Sequence, residues 1–384
     1  MKINNLKTVC VTGAGDMGHG IAQLALMNGY SVNLCDINYN LVNTGIFRIR
    51  KSLEKLMEKG QITISSVDTI MNNNLRSYMN ISEAVSNADL IIEAVSEKLS
   101  IKETVLREIA EFAPHDAIIA SNTSTMSITT LAQFTEKPEN FIGMHFFNPP
   151  VLMKLVEVIK GEYTSEETVQ FAFEYVRKLG KEMVYCMIDT PGFIANRITA
   201  PVIIYNGLCI DIEKIEPADI DATMMKNGIK MGPMELADYT SIDVMCHCLE
   251  YYQKHLSPEY QISDNAKEMM ALGHFGKKSG QGYYTWQEGR RPKIDERSIT
   301  GRYDPNIPFF IQANESCKLY ESGVCSLEDC DKAIIYGYNM QGSIDYIQRF
   351  KPDKVADTLD QISKRFKKTI FRPTDTIRKG AYLR

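Results

Sequence analysis

The first half of the chain alternates between short, mostly apolar runs and longer stretches in which apolar residues return every three or four positions. The runs are Thr8–Thr12, Ser31–Cys35, Ala88–Val95, Ala117–Ala120 and Phe141–His145. Their lengths suit strands buried on both faces, as in a parallel sheet. The periodic stretches Ile21–Met27, residues 41–60, Glu103–Phe112 and Glu166–Leu179 suit amphipathic helices. Alternation of this kind predicts an α/β domain over residues 1–189, closed by a short strand at Met183–Cys186. Beyond residue 190 the pattern is helical throughout, which predicts an all-α domain over 190–286. Its helices are expected through about residue 213, at Asp219–Lys226, and as one long helix opening at Met231-Gly-Pro-Met-Glu-Leu-Ala-Asp238.

Residues 287–308 are charged and interrupted by proline (Arg290-Arg-Pro-Lys, Asp304-Pro-Asn-Ile-Pro308) and read as a linker. Residues 309–384 read as a second, partial copy of the helical domain. Asn314-Glu315 is expected to open a helix where Asn206-Gly207 continues one. Leu327-Glu-Asp-Cys-Asp331 resembles Pro217-Ala-Asp-Ile-Asp221, and Gly342 followed by Asp345-Tyr346 resembles Gly232 followed by Asp238-Tyr239. The gaps between these pairs do not align cleanly. The copy has no His–Glu pair and no glycine-lysine loop like residues 275–282, so a structural role is expected of it.

The strand at Thr8–Thr12 runs straight into Gly13-Ala-Gly15-Asp16-Met17-Gly18 and then into a helix. The first glycine turns the chain and the second lets the backbone approach a pyrophosphate. The third lets the helix pack against the strand, with its N-terminus facing phosphate charge. Asp36 ends the next strand, where a carboxylate accepts hydrogen bonds from the adenine ribose and repels a 2′-phosphate. The Ile37-Asn38 that follows supplies no arginine for such a phosphate, so the expected cofactor is NAD and the fold Rossmann-type.

In sheets of this class ligands gather at the carboxyl ends of the strands, and Glu93, Ser124 and His145 all fall there. His145 stands twelve positions ahead of Glu157, across Asn148-Pro-Pro150. A carboxylate bonded to one imidazole nitrogen fixes the tautomer and raises the basicity, so such a dyad can take the hydroxyl proton of an alcohol being oxidised. A buried structural histidine beside an unrelated glutamate is the other reading of those two residues. Ser124 is either a helix cap or a donor to the substrate oxygen. Asn196, early in a long helix, is either an interdomain contact or an amide able to bond a carbonyl oxygen.

The helix over 41–60 is expected to turn Ile46, Phe47, Leu53, Leu56 and Met57 inward. Lys51, Lys55 and Lys59 then share an outward face, either solvated or docking a phosphate-rich substrate handle. Phe275-Gly-Lys-Lys-Ser-Gly-Gln-Gly-Tyr-Tyr suggests an ordered loop near an anionic ligand.

A net charge of −5 and a pI near 5.8 argue against nucleic-acid or anionic-membrane partners. No apolar run approaches the roughly 20 residues needed to span a bilayer. Nine cysteines without a CxxC pair suit reduced thiols, and Cys246-His-Cys248 reads as helix packing rather than a metal site. No room is left ahead of the first strand for a targeting peptide, so a cytoplasmic protein is expected.

Taken together, these motifs resemble the L-3-hydroxyacyl-CoA dehydrogenases, including the short-chain 3-hydroxybutyryl-CoA enzymes. The resemblance covers residues 6–286 and rests on GAGDMGHGIAQ, IIEAVSEKLSIK, ASNTS, GMHFFNPP with MKLVEVIKG, DTPGFIANR, MGPMELADY and FGKKSGQGYY. It implies an NAD-dependent oxidoreductase that interconverts an L-3-hydroxyacyl-CoA and its 3-ketoacyl-CoA. By that resemblance His145 is general base and acid, Glu157 orients it, and Ser124 and Asn196 position the substrate. It also implies that Gly13, Gly15, Asp16, Met17, Gly18, Asp36, Glu93, Lys98, Ser124, Asn148 and Lys278 bind NAD, and that Lys55, Lys59 and Ser124 face coenzyme A. Two other readings of the chain are a related enzyme acting on a free hydroxy acid, of the gulonate or carnitine type, and a non-catalytic NAD-binding scaffold. Family members often carry a small apolar residue where this chain has Pro150, a difference expected to reshape the acyl pocket. The 98 residues beyond 286 are absent from the short enzymes. By analogy they leave open either a homo-oligomer or a monomer whose repeated domain replaces a subunit contact.

Overall fold

The computed structural model describes residues 3–383 of the chain. They fall into two compact units. The first runs to Phe193 and also takes in Ile335–Asn339; the second comprises Ile194–Ile334 and the residues from Met340 onward.

The first unit is built on an eight-stranded sheet: β1 (Thr8–Thr12), β2 (Ser31–Cys35), β3 (Leu75–Tyr78), β4 (Leu90–Glu93), β5 (Ile118–Ser121), β6 (Phe141–Phe146), β7 (Leu155–Ile159) and β8 (Glu182–Cys186). Across the sheet the order is β3-β2-β1-β4-β5-β6-β7-β8, parallel except where β6 meets β7. Around it lie α1 (Gly18–Met27), α2 (Tyr39–Glu58), α3 (Ile64–Thr69), α4 (Ile81–Val85), α5 (Leu99–Phe112), α6 (Ile128–Ala132) and α7 (Glu166–Lys178). Each residue of β4, β5, β6 and β7 is buried, as parallel strands covered on both faces require. Val11, Leu34, Ile92 and Met144 from the strands pack with Ile21, Ile49, Leu53 and Val176 from the helices into one core.

One expectation about α2 is overturned. Val42, Gly45, Ile49 and Leu53 form its buried stripe, but Phe47 is 62% exposed. It lies on the lysine side, four residues from Lys51, whose Nζ stands 6.0 Å from its ring centre.

The second unit is helical: α8 (Ala195–Asp211), α9 (Pro217–Lys226), α10 (Pro233–Thr240), α11 (Ile242–His255), α12 (Asp264–Leu272), α13 (Asn306–Glu321), α14 (Leu327–Tyr338, whose last turn belongs to the first unit), α15 (Ser343–Ile347), α16 (Pro352–Phe366) and α17 (Asp375–Arg378). The single long helix expected from residue 231 is instead two, because Ser241 adopts φ 86° and breaks the helix between Thr240 and Ile242. Nor does Asn314 open a helix: α13 begins at Asn306, within the expected linker, and Asn314 is buried mid-helix. The rest of that linker is tied down. Thr300 N donates to Asp219 Oδ1 at 3.1 Å, and Arg291 Nη2 to Glu235 Oε2 at 2.8 Å. Helix α13 is buried nearly all round, polar Gln312, Asn314, Glu315 and Ser316 included, as befits a central helix.

One turn occurs twice in this unit. Asp221 accepts the backbone N–H groups of Met234 and Glu235, both at 2.8 Å, thirteen and fourteen residues ahead. Asp331 accepts those of Ile344 at 2.8 Å and Asp345 at 3.0 Å, again thirteen and fourteen ahead. In both turns a glycine is required: a Cβ on Gly232 would stand 2.2 Å from Asp221 Cγ, and one on Gly342 2.5 Å from Asp331 Cγ. The offset of 110 residues between Asp221 and Asp331 (331 − 221) also separates Pro217 from Leu327, Pro233 from Ser343, and Ile242 from Pro352. The register is therefore uniform, where pairing Asp238-Tyr239 with Asp345-Tyr346 made it look irregular; Asp345 corresponds to Glu235.

Candidate active site

His145 on β6 and Glu157 on β7 are register partners across the one antiparallel pairing of the sheet. Directly opposed residues point to the same face, with Cβ atoms close enough for side chains to meet. His145 Nδ1 and Glu157 Oε2 are 2.6 Å apart, in a site where the histidine is 7% exposed and the glutamate fully buried. Phe147 packs against the imidazole with ring centres 4.6 Å apart, and Phe193 lies at 6.1 Å. The bond at Nδ1 leaves Nε2 as the nitrogen available for proton transfer.

The loop after β1 has the geometry that a dinucleotide needs. Gly13 takes φ 98°, and a Cβ there would stand 2.5 Å from the Ala94 carbonyl oxygen. A Cβ on Gly18 would collide with the Gly13 carbonyl, whereas one on Gly15 meets nothing within 4 Å. Tight packing at the first and third glycines with open space at the second suits close approach of a pyrophosphate. Asp36 braces the loop, its carboxylate accepting Ala14 N and Ile37 N, each at 2.7 Å. Exposed Asp16 pairs with Arg48 of α2 at 2.6 Å, and Met17 precedes α1 and packs on the core.

At the ends of β4 and β5 lies a charged cluster that the sequence pattern did not single out. Lys102, 1% exposed, donates to Glu93 at 2.7 Å and lies 3.1 Å from Glu97 Oε2. Glu93 is fully buried and also accepts Val95 N at 2.8 Å and Ser121 Oγ at 2.6 Å. Its carboxylate is thus satisfied inside the protein, where it braces the ends of the two strands. Glu97 accepts Thr123 Oγ1 at 2.5 Å and Ser124 N at 3.1 Å. Burial alone would raise the Glu97 carboxyl, but Lys102 and these donors hold it below the usual carboxylate range. Burial likewise opposes the Lys102 charge, yet Glu93 and Glu97 keep the ammonium above the ordinary lysine value. The signal available in the sequence was a lysine on the same face of an amphipathic helix as Val105, Leu106 and Ile109.

Ser124 is not a helix cap; Ser127 fills that place on α6, accepting Thr130 N at 3.1 Å. Lys98 is exposed just ahead of α5, and Lys55 and Lys59 are exposed on and just beyond α2. Asn148 is exposed in the loop after β6. Pro150 of that loop is buried against α1, since a Cβ on Gly20 would stand 2.8 Å from its Cδ. The helix thus supplies a packing role for this residue.

Two candidates belong to the second unit. Asn196 lies in the first turn of α8, beside Arg197, whose Nε donates to Glu315 Oε1 at 2.6 Å. Lys278 already pairs with Asp243 at 2.8 Å. The glycines of its loop serve Asp238: Tyr283 N, Tyr284 N and Trp286 Nε1 all donate to that carboxylate, and a Cβ on Gly276 or Gly282 would collide with Asp238. The loop is ordered by an internal anion, the Asp238 carboxylate.

The family model described as 3-hydroxyacyl-CoA dehydrogenase, NAD binding domain, matches residues 8–190, and that described as 3-hydroxyacyl-CoA dehydrogenase, C-terminal domain, matches 192–286. A probable 3-hydroxybutyryl-CoA dehydrogenase of Bacillus subtilis is 37% identical over 286 residues, covering 74% of this chain and 98% of that protein. The fatty acid oxidation complex subunit alpha of Pseudomonas aeruginosa is 32% identical over 356 residues, 87% of this chain and 49% of that one. The crystal structure of 3-hydroxybutyryl-CoA dehydrogenase from Escherichia coli K12 superposes with a TM-score of 0.89 at 26% identity, covering 98% of both chains.

Proposed function

Because this chain belongs to the 3-hydroxyacyl-CoA dehydrogenase family, as an NAD-dependent oxidoreductase, we propose that His145 and Glu157 are its proton-transfer dyad. The observation that carries this reading is the 2.6 Å contact between them, made by two residues placed opposite each other on β6 and β7. In the oxidising direction His145 takes the C3 hydroxyl proton of an L-3-hydroxyacyl-CoA on Nε2. In the reducing direction it returns a proton to the forming alcohol. Glu157 holds the tautomer and stabilises the imidazolium. A base so placed contributes about 10²–10⁴ in rate. Ser124 and Asn196 are read as the groups that hold the substrate oxygen and thioester.

NAD, when bound, supplies the acceptor for the hydride. The open side of Gly15, the start of α1 and the carboxylate of Asp36 would hold it, and Asp36 favours it over NADP. Exposed Lys55 and Lys59 suit the phosphates of coenzyme A. The names of the relatives point to a short acyl chain, 3-hydroxybutyryl-CoA with acetoacetyl-CoA. A cytoplasmic place fits nine free cysteines; among the described residues no helix is long and apolar enough to cross a membrane. The paired aspartate turns and their uniform spacing support reading 309–384 as a partial second copy of 190–286.

The direct test is His145→Gln, assayed with acetoacetyl-CoA and NADH. Turnover is expected to fall by about 10² or more, and a loss smaller than about tenfold removes the assignment.

A further inference from the structure

The five residues Ile335–Asn339, far along the chain, belong to the first unit, and their contacts converge on the loop behind His145. Tyr338 meets Phe147 edge-on, with ring centres 6.3 Å apart at 73°. Gly337 is buried so closely that an added Cβ would stand 2.9 Å from Leu155 Cδ2 and 3.1 Å from Phe147 Cε1. Asn339 Nδ2 lies 3.7 Å from Met153 Sδ. Phe147, in turn, packs on the imidazole at 4.6 Å. The other side of the loop is held by Lys181, whose Nζ donates to the carbonyls of Pro150 and Met153, both at 2.7 Å.

We propose that Gly337 and Tyr338 are positioning residues for the reaction: they fix the ring of Phe147, and through it the orientation of His145 toward Glu157. The proposal rests on the reading of His145 as the proton-transfer group. The region matched by the Bacillus subtilis relative covers 74% of this chain, and these residues come from the part beyond the family's two domain models. The extension therefore reaches into the chemistry rather than only burying apolar surface. An imidazole that must sit against both a carboxylate and a substrate oxygen tolerates little displacement, since misplacement by about 1 Å can cost up to about 10² in rate. The edge of an aromatic ring is a stiff support, and a glycine at 337 is what lets the helix end come that close.

The test compares Tyr338→Ala, Tyr338→Phe and Gly337→Ala with the unaltered full-length enzyme. Tyr338→Ala is expected to lower kcat by about tenfold with KM for NADH unchanged. Tyr338→Phe keeps the ring edge and should restore kcat. Gly337→Ala pushes on Phe147 from the same side and should lower kcat without lowering thermal stability to match. His145 ring-proton NMR shifts should move in Tyr338→Ala and Gly337→Ala but not in Tyr338→Phe. Unchanged ring-proton shifts and an unchanged kcat in folded Gly337→Ala, whatever becomes of Tyr338→Ala, overturn the proposal. The NMR reading needs no turnover, so it decides the matter even if the wild type fails to reduce acetoacetyl-CoA, a result that would count against the dehydrogenase site itself.

Discussion

Glu315 of the C-terminal extension holds Arg197, the residue next to Asn196, through a 2.6 Å bond from Nε. The glutamate is 1% exposed and also accepts Lys318 Nζ at 2.8 Å. Burial alone would raise its carboxyl, but Lys318 and Arg197 hold it below the ordinary value of 4.5. Removing one partner of a buried ion pair typically costs about 3–5 kcal/mol, because the other charge stays desolvated. Glu315→Ala is expected to lower unfolding stability by about that amount, measured by denaturant titration. A loss below about 1 kcal/mol would mean that water reaches the pair. Since the folded-state pKa is depressed, the carboxylate's contribution is complete above 4.5 and disappears as pH falls through the lower folded value. The stability gap between wild type and variant should therefore be flat from neutral pH down to about 4.5 and narrow as pH falls from there to the lower folded value.

Glu157→Gln keeps the size of the side chain and removes its charge. kcat for acetoacetyl-CoA reduction is expected to fall by about 10–10², less than for loss of the imidazole itself. A loss smaller than about threefold, measured by steady-state kinetics, would mean that Glu157 does not support the imidazole during proton transfer.

Asp36→Asn bears on cofactor choice. The amide can still accept Ala14 N but no longer repels a 2′-phosphate. The ratio of kcat/KM for NADPH to that for NADH is expected to rise about tenfold, equivalent to roughly 1.4 kcal/mol. An unchanged ratio would place the discrimination elsewhere.

Lys181 has its ammonium half-buried against backbone carbonyls, and burial lowers its pKa from 10.5 to about 8. Pulse labelling with an acylating reagent should therefore show it titrating with a midpoint near 8, ahead of the surface lysines. Because the folded pKa lies below the unfolded one, the cost of burying this charge is full below 8 and is relieved as pH rises toward 10.5. A midpoint with the surface lysines would show that the Pro150 and Met153 carbonyls hold the charged form.

Much of this was legible along the chain because the signals are local. The turn at Gly13 needs a glycine whatever surrounds it, and Asp36 ends a strand whose apolar run marks it. His145 and Glu157 could be paired in advance because a short connection between two strands brings residues equally distant from the turn face to face. Phe47 was misplaced because an aromatic residue on a basic helix face carries no sign of its exposure, and only the stripe Val42–Gly45–Ile49–Leu53 assigns it outward. The break at Ser241 was hidden for a similar reason: nothing in the residue type announces a positive φ.

By itself the sequence determined the strand–helix order, the phosphate-binding turn and which side chains could carry a proton, since each depends on residues within a few turns of one another. Tertiary structure alone decided where buried charges find their partners: Glu93 with Lys102, Glu315 with Arg197, Asp238 with the Gly276–Trp286 loop. It also decided that Ile335–Asn339 close on Phe147. Burial of a charge or a ring is favourable only when groups distant along the chain arrive together, and no local periodicity encodes that meeting.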